Sequence, residues 1–84
     1  MYYVYILKSL KDNGYYTGST GNINDRIKRH LEGRSKSTKN RLPLKLVYKK
    51  SFKTRSEAIK FEKEIKKQKS VQYIEKIIKN SMGR

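Results

Sequence analysis

The feature that most restricts this chain lies at its start, where Tyr3-Val4-Tyr5-Ile6-Leu7 alternates aromatic and aliphatic residues a few positions ahead of Asp12-Asn13-Gly14. Such alternation fits a strand, and an Asn-Gly pair between two β-forming runs is a strong hairpin signal because both residues tolerate positive φ. Tyr15-Tyr16-Thr17-Gly18 is then the return strand. A two-residue turn at Asn13 and Gly14 sets odd positions of the first strand and even positions of the second on one sheet face. Tyr3, Tyr5, Tyr16 and Gly18 look one way, and Val4 and Ile6 build an aliphatic face on the other. Five of the seven tyrosines fall within the first sixteen residues, so this hairpin carries most of the chain's phenols. Tyrosines on a strand are ordinarily core or sheet filler. Beside a glycine that leaves room for a substrate backbone, they also wall a site.

Downstream, Ile23, Ile27 and Leu31 recur at a four-residue step between Asn22, an N-cap, and Gly33, a helix stop. Residues 44–52, Leu-Lys-Leu-Val-Tyr-Lys-Lys-Ser-Phe, read as a third strand. Thr54 and Glu57 form a capping box at the start of a long helix that runs to about Lys69. Ser70 caps a last helix whose Val71, Ile74, Ile77 and Ile78 make one apolar stripe. The order ββαβαα predicts an α+β fold, a small three-stranded, mainly antiparallel sheet flanked by helices. At 84 residues the chain has room for one domain, spanning 1–84 and built from two layers.

Charge limits the partners. Lys and Arg number 22 against 7 Asp and Glu, a formal net charge of +15, which draws a protein to polyanions. No apolar run reaches the roughly 18 residues needed to cross a bilayer, and no secretory leader is recognisable, so nucleic acid is favoured over membrane as the partner. The absence of cysteine excludes a disulfide framework and a thiolate metal cage, and accords with a cytoplasmic protein. Residues 32–43, with Gly33, Ser35, Ser37 and several basic side chains ahead of Pro43, read as a cationic surface loop.

At about 100° of turn per residue, Ala58, Phe61 and Ile65 define the core-facing arc of the long helix, and Glu62 falls inside it while Glu57 and Glu64 lie outside. A carboxylate aimed at an apolar layer is costly unless it is paired, here with Arg26 or Lys66, or holds a metal. On the first helix Arg26 and His30 share one flank of the apolar stripe, at the rim of the core, while Lys28 and Arg29 face outward. Taken singly, such residues are commonly a structural ion pair and a packed histidine. Their convergence with the phenol face of the hairpin marks a site.

The segments 3–7, 16–18, 25–30 and 56–67, in that order and with the Leu46-Val47-Tyr48 strand between them, resemble the GIY-YIG nuclease superfamily, closest to its small URI-domain or UPF0213 branch. Tyr3 stands where the first motif has glycine, and Thr17 where the second has an aliphatic residue. The resemblance implies an active site of Tyr5, Tyr16, Arg26, His30 and Glu62, and a phosphodiester hydrolase acting on nucleic acid, DNA ahead of RNA. Glu62 would hold one divalent ion, Mg²⁺ or alternatively Mn²⁺. Arg26 would clamp a phosphate oxygen, one tyrosine, Tyr5 or Tyr16, would act as general base, and His30 would orient that base or relay its proton. Lys28, Arg29, Arg34, Lys36, Lys39 and Arg41 are the expected phosphate contacts. The alternative is a binding module on the same fold that cuts little or not at all. A KH-type reading of Gly18-Ser19-Thr20-Gly21 is rejected, since a KH loop joins two helices and this one follows a strand.

Overall fold

The computed structural model describes residues 1–68 and 70–82. Three strands, β1 (Tyr2–Ser9), β2 (Tyr15–Thr20) and β3 (Leu44–Phe52), form one antiparallel sheet in the order β2-β1-β3. Three helices, α1 (Ile23–Leu31), α2 (Arg55–Gln68) and α3 (Val71–Met82), complete the expected ββαβαα order. The expected end of α2 at Lys69 lies outside the described residues. Among the described residues no helix is long and apolar enough to cross a membrane.

The hairpin turn is longer than its sequence suggests. The Ser9 amide donates to the Gly14 carbonyl at 2.8 Å and the Asn13 amide to the Ser9 carbonyl at 2.9 Å, which leaves residues 10–13 as the loop, with Asn13 at φ 62°. A two-residue turn would have paired Lys8 with Ser19, whereas its partner is Tyr15, four positions away. Because the shift is even, the faces survive: Tyr5 lies opposite Gly18, Leu7 opposite Tyr16, and Val4 and Ile6 stay on the other side.

Three layers form instead of two. The central strand buries Val4, Tyr5, Ile6 and Leu7 completely, and a strand apolar on both faces must be covered on both. Val4 and Ile6 pack on Ala58 and Ile65 of α2, with Tyr73, Ile74 and Ile77 of α3 around them. Tyr5 and Leu7 pack on Ile23 and Ile27 of α1 and on Leu44. A bulge lets β3 serve both layers, since Tyr48 opposes Ile6 while Leu46 opposes Leu7, with Val47 the extra residue between them.

The helix starts follow their local signals. Asn22 Oδ1 accepts from the Asp25 amide, Thr54 Oγ1 from the Glu57 amide and Ser70 Oγ from the Tyr73 amide. The Glu57 carboxylate takes the Thr54 hydroxyl rather than a backbone amide. Gly33, at φ 78°, ends α1. Two stripes differ from expectation: Leu31 is 47% exposed while His30 is fully buried, and Val71 is 55% exposed while Tyr73 joins the core. The segment 32–43 is docked rather than free. It forms a 3-10 turn at Lys39–Arg41, buries Thr38 completely, and is tied to the hairpin loop by Ser9 Oγ to the Arg41 carbonyl at 2.6 Å and by the Leu10 amide to the Pro43 carbonyl at 2.8 Å.

Candidate active site

The phenol of Tyr5 is the centre of the arrangement. Projecting from the α1 face of β1, its hydroxyl meets His30 Nε2 at 2.9 Å, and His30 Nδ1 meets Thr38 Oγ1 at 2.7 Å. All three residues are buried. Either imidazole tautomer satisfies both contacts, since each hydroxyl donates or accepts as required. The Tyr16 ring closes the cluster, with its centroid 6.4 Å from that of Tyr5 and 5.3 Å from that of His30. Burial, and after it the neighbouring Tyr16, push the Tyr5 phenol up to about 12, while Arg26 pulls it down and Glu62 adds a smaller upward push. Burial first and Arg26 second lower the His30 pKa, so the ring is neutral at physiological pH.

Gly18 is required for a reason other than substrate approach. A Cβ there would stand 2.5 Å from the Tyr5 hydroxyl and 2.7 Å from its Cζ. The Tyr5 ring fills the room the glycine leaves, so the expectation of an open path over Gly18 is corrected. His30, expected at the rim of the core, is inside it, and Arg26, one turn earlier, is exposed.

Glu62 belongs to the other side of β2. It is 16% exposed, its Oε1 accepts from Ser19 Oγ at 2.6 Å, and its Oε2 pairs with Lys66 Nζ at 2.7 Å. The carboxylate in the apolar arc is thus compensated one turn along its own helix. Two clefts flank it along the free edge of β2. One, of about 300 Å³, is lined by Tyr16, Thr17, Ile65 and Lys66. The other, of about 270 Å³, is lined by Ser19, Gly21, Arg26 and Arg55. Among the described residues no three His, Cys, Asp or Glu side chains gather as a metal cage. A single carboxylate beside a hydroxyl nevertheless suits a hard dication that keeps its waters and takes phosphate oxygens. Glu62 with Ser19 supplies that donor set once Lys66, 54% exposed, turns to solvent.

Of the residues expected to meet phosphate, Lys28, Lys36 and Lys39 are exposed. Arg29 pairs with Asp25, Arg34 with Glu32 and Arg41 with Asp12, each by a contact of 3.3 Å or less. Asp12, its pKa lowered by the Gly14 amide first and by Arg41 next, ties the hairpin loop to residues 39–41. Sequence reasoning passed over Thr38 and Ser19. A threonine in a basic loop carries no periodic signal, and Ser19 is recognisable only once the register sets it beside α2. Lys66 stands at the i,i+4 spacing from Glu62 that marks a helical ion pair.

Residues 1–80 match the family model of the GIY-YIG catalytic domain. A UPF0213 protein of Staphylococcus haemolyticus is 50% identical over 66 residues, 77% of this chain and 79% of that one, and one of Staphylococcus saprophyticus is 48% identical over the same shares. The solution NMR structure of a UPF0213 protein from Bacillus halodurans superimposes with a TM-score of 0.58 at 39% identity, covering 93% of this chain and 83% of the other.

Proposed function

Because this chain belongs to the GIY-YIG family, we propose that it is a metal-dependent endonuclease, a single nuclease domain over residues 1–84 that cuts DNA in the cytoplasm with little sequence preference. One observation carries the reading. The Tyr5 phenol bonds His30 and stands against Tyr16, while the charge of Arg26 and, more weakly, that of Glu62 act on it from outside this cluster.

The roles follow from exposure. Tyr5, held near 12 by burial, keeps its proton at neutral pH and serves as the fixed post of the site. Tyr16 is half-buried on a cleft open to water, beside Lys66, and is the general base. As base, Tyr16 takes a proton from water, the resulting hydroxide forms a bond to phosphorus, and the P–O bond on the far side breaks, its oxygen leaving with the electron pair and taking a proton from solvent. Arg26 binds the extra negative charge on the phosphoryl oxygens through its planar fork. His30 does not carry the proton out to solvent, being enclosed. It orients Tyr5, and through ring contact Tyr16. Mg²⁺ or Mn²⁺ bound at Glu62 and Ser19 would neutralise the scissile phosphate and its leaving oxygen.

The exposed Lys28, Lys36 and Lys39 and the paired arginines give contact to phosphates, which positions a duplex and carries no sequence information. A second reading, a binding module that does not cut, is supported by Lys66, which covers one of the two oxygens a metal would use. Incubation of end-labelled DNA and RNA with Mg²⁺, with Mn²⁺ and with EDTA decides between them. Cleavage of DNA with either metal and none with EDTA is expected; retarded but intact DNA under all three conditions leaves the binding module.

A further inference from the structure

At the sheet edge remote from β2, β3, α2 and α3 enclose a cleft of about 520 Å³ that has no part in the chemistry above. Tyr48, Phe61 and Tyr73 line it with their rings, Lys49 and Lys50 stand on its strand side, and Asn80 closes its helix side. Among the described residues no acidic side chain lines it. The Lys50 ammonium lies 5.2 Å from the centre of the Phe61 ring, so positive charge and aromatic surface already share one place. Tyr48 and Tyr73 line the same cleft, and burial first and Tyr73 next raise the pKa of the Tyr48 phenol. Phe61 and Glu62 are consecutive, and a turn of about 100° between them directs α2 toward both clefts. α2 is the wall between the cutting edge and this one.

We propose that this cleft is a second nucleic-acid site, which takes unpaired nucleotides of single-stranded DNA, their bases stacked on Tyr48 and Tyr73 and their phosphates held by Lys50, which shares this face of β3 with Tyr48. Aromatic platforms beside a cationic rim are the chemistry that grips single strands, since every base has a stacking face and every linkage a negative charge. A second copy of the chain is the rival occupant, because β3 is an edge strand with unpaired backbone groups. Lys45, Lys49 and Lys50 are all exposed on it, however, and would face the same charges on a paired copy. The choice of DNA rests on the reading of the preceding section, whereas the stacking site does not depend on cleavage.

The test is the fluorescence anisotropy of a labelled oligothymidylate of about ten nucleotides, within the span that small single-strand sites cover, measured in EDTA so that cutting plays no part. Tyr73→Leu keeps the apolar fill and loses the stacking face; it is expected to weaken the oligothymidylate about tenfold and a duplex less than twofold. Lys50→Glu, on exposed surface, is expected to weaken the single strand by a similar factor. Amide shifts of Ser51, Asn80 and Ser81 on titration with the oligothymidylate locate the site even where Tyr73→Leu fails to fold. Unchanged single-strand affinity in Lys50→Glu, equal losses on duplex and single strand in Tyr73→Leu, shifts confined to the β2 edge, tighter binding of oligouridylate than of oligothymidylate, or a dimer that the oligonucleotide does not dissociate would each overturn the proposal. A wild-type protein that binds oligothymidylate here but leaves DNA uncut in Mg²⁺ overturns the nuclease reading alone.

Discussion

On the α1 side of the sheet, Tyr5, His30 and Thr38 are uncharged, enclosed and joined end to end by contacts of 2.9 and 2.7 Å, whereas on the α2 side the charged Glu62 divides its carboxylate between Ser19 and the exposed Lys66. The first group resists change. Removing any member strands a polar atom away from water, at a cost of about 1 to 3 kcal/mol. The second group can be exchanged, because Lys66, 54% exposed, loses little by turning to solvent, while Glu62, 16% exposed, keeps its bond from Ser19 and room for another cation. The fold thus keeps geometry on one side of β2 and replaceable ligands on the other. The proposed metal-dependent hydrolysis would use both, a fixed aromatic frame and a carboxylate that can trade one cation for another.

That contrast predicts a graded series. His30→Ala opens a cavity and orphans both the Tyr5 and Thr38 hydroxyls, so it is expected to cost about 3 to 4 kcal/mol. For a domain of this size that lowers the Tm by well over ten degrees. Thr38→Val preserves shape but leaves His30 Nδ1 unpaired, and is expected to cost about 1 to 3 kcal/mol in a denaturant melt. Next comes pH. The His30 pKa is lowered in the fold, so the unfolded chain binds its proton first as pH drops below about 6.5. Stability is complete above that value and falls as pH decreases until the folded ring is also protonated, by no more than about 1.4 kcal/mol per pH unit. His30→Ala should flatten that slope. Smallest is Lys66→Ala, which should move stability by less than about 1 kcal/mol yet raise Mg²⁺ affinity, to an extent of at most about fivefold, by freeing one Glu62 oxygen. Equal stability losses for Thr38→Val and Lys66→Ala would break the distinction between the two sides.

Local signals were legible and tertiary ones were not. Asn22, Thr54 and Ser70 announce helix starts because a cap acts within three residues of itself. Parity on the hairpin survived a misread turn because the register differs by four positions, an even number. The alternation within β1 gives the two faces but not what covers each, so it does not specify the third layer. Nor does the spacing of α1 tell whether His30 or Leu31 enters the core. That depends on Thr38, eight residues along and in a segment whose composition reads as solvent loop. Glu62 was conspicuous because a charge within an apolar arc violates the pattern of its own helix. A glycine at position 18 signals free space in the sequence, but the occupant of that space, the Tyr5 ring, emerges only once the two strands are paired.

Glu62→Gln tests the central claim most directly, with cleavage in Mg²⁺ and thermal unfolding measured on one preparation. Glutamine keeps an acceptor for Ser19 and loses the charge that a metal requires. The expected result is a melt within roughly 1 kcal/mol of the wild type and cleavage reduced by at least about a hundredfold. A variant that melts as the wild type does and still cuts at the wild-type rate would contradict the account and remove Glu62 from the chemistry.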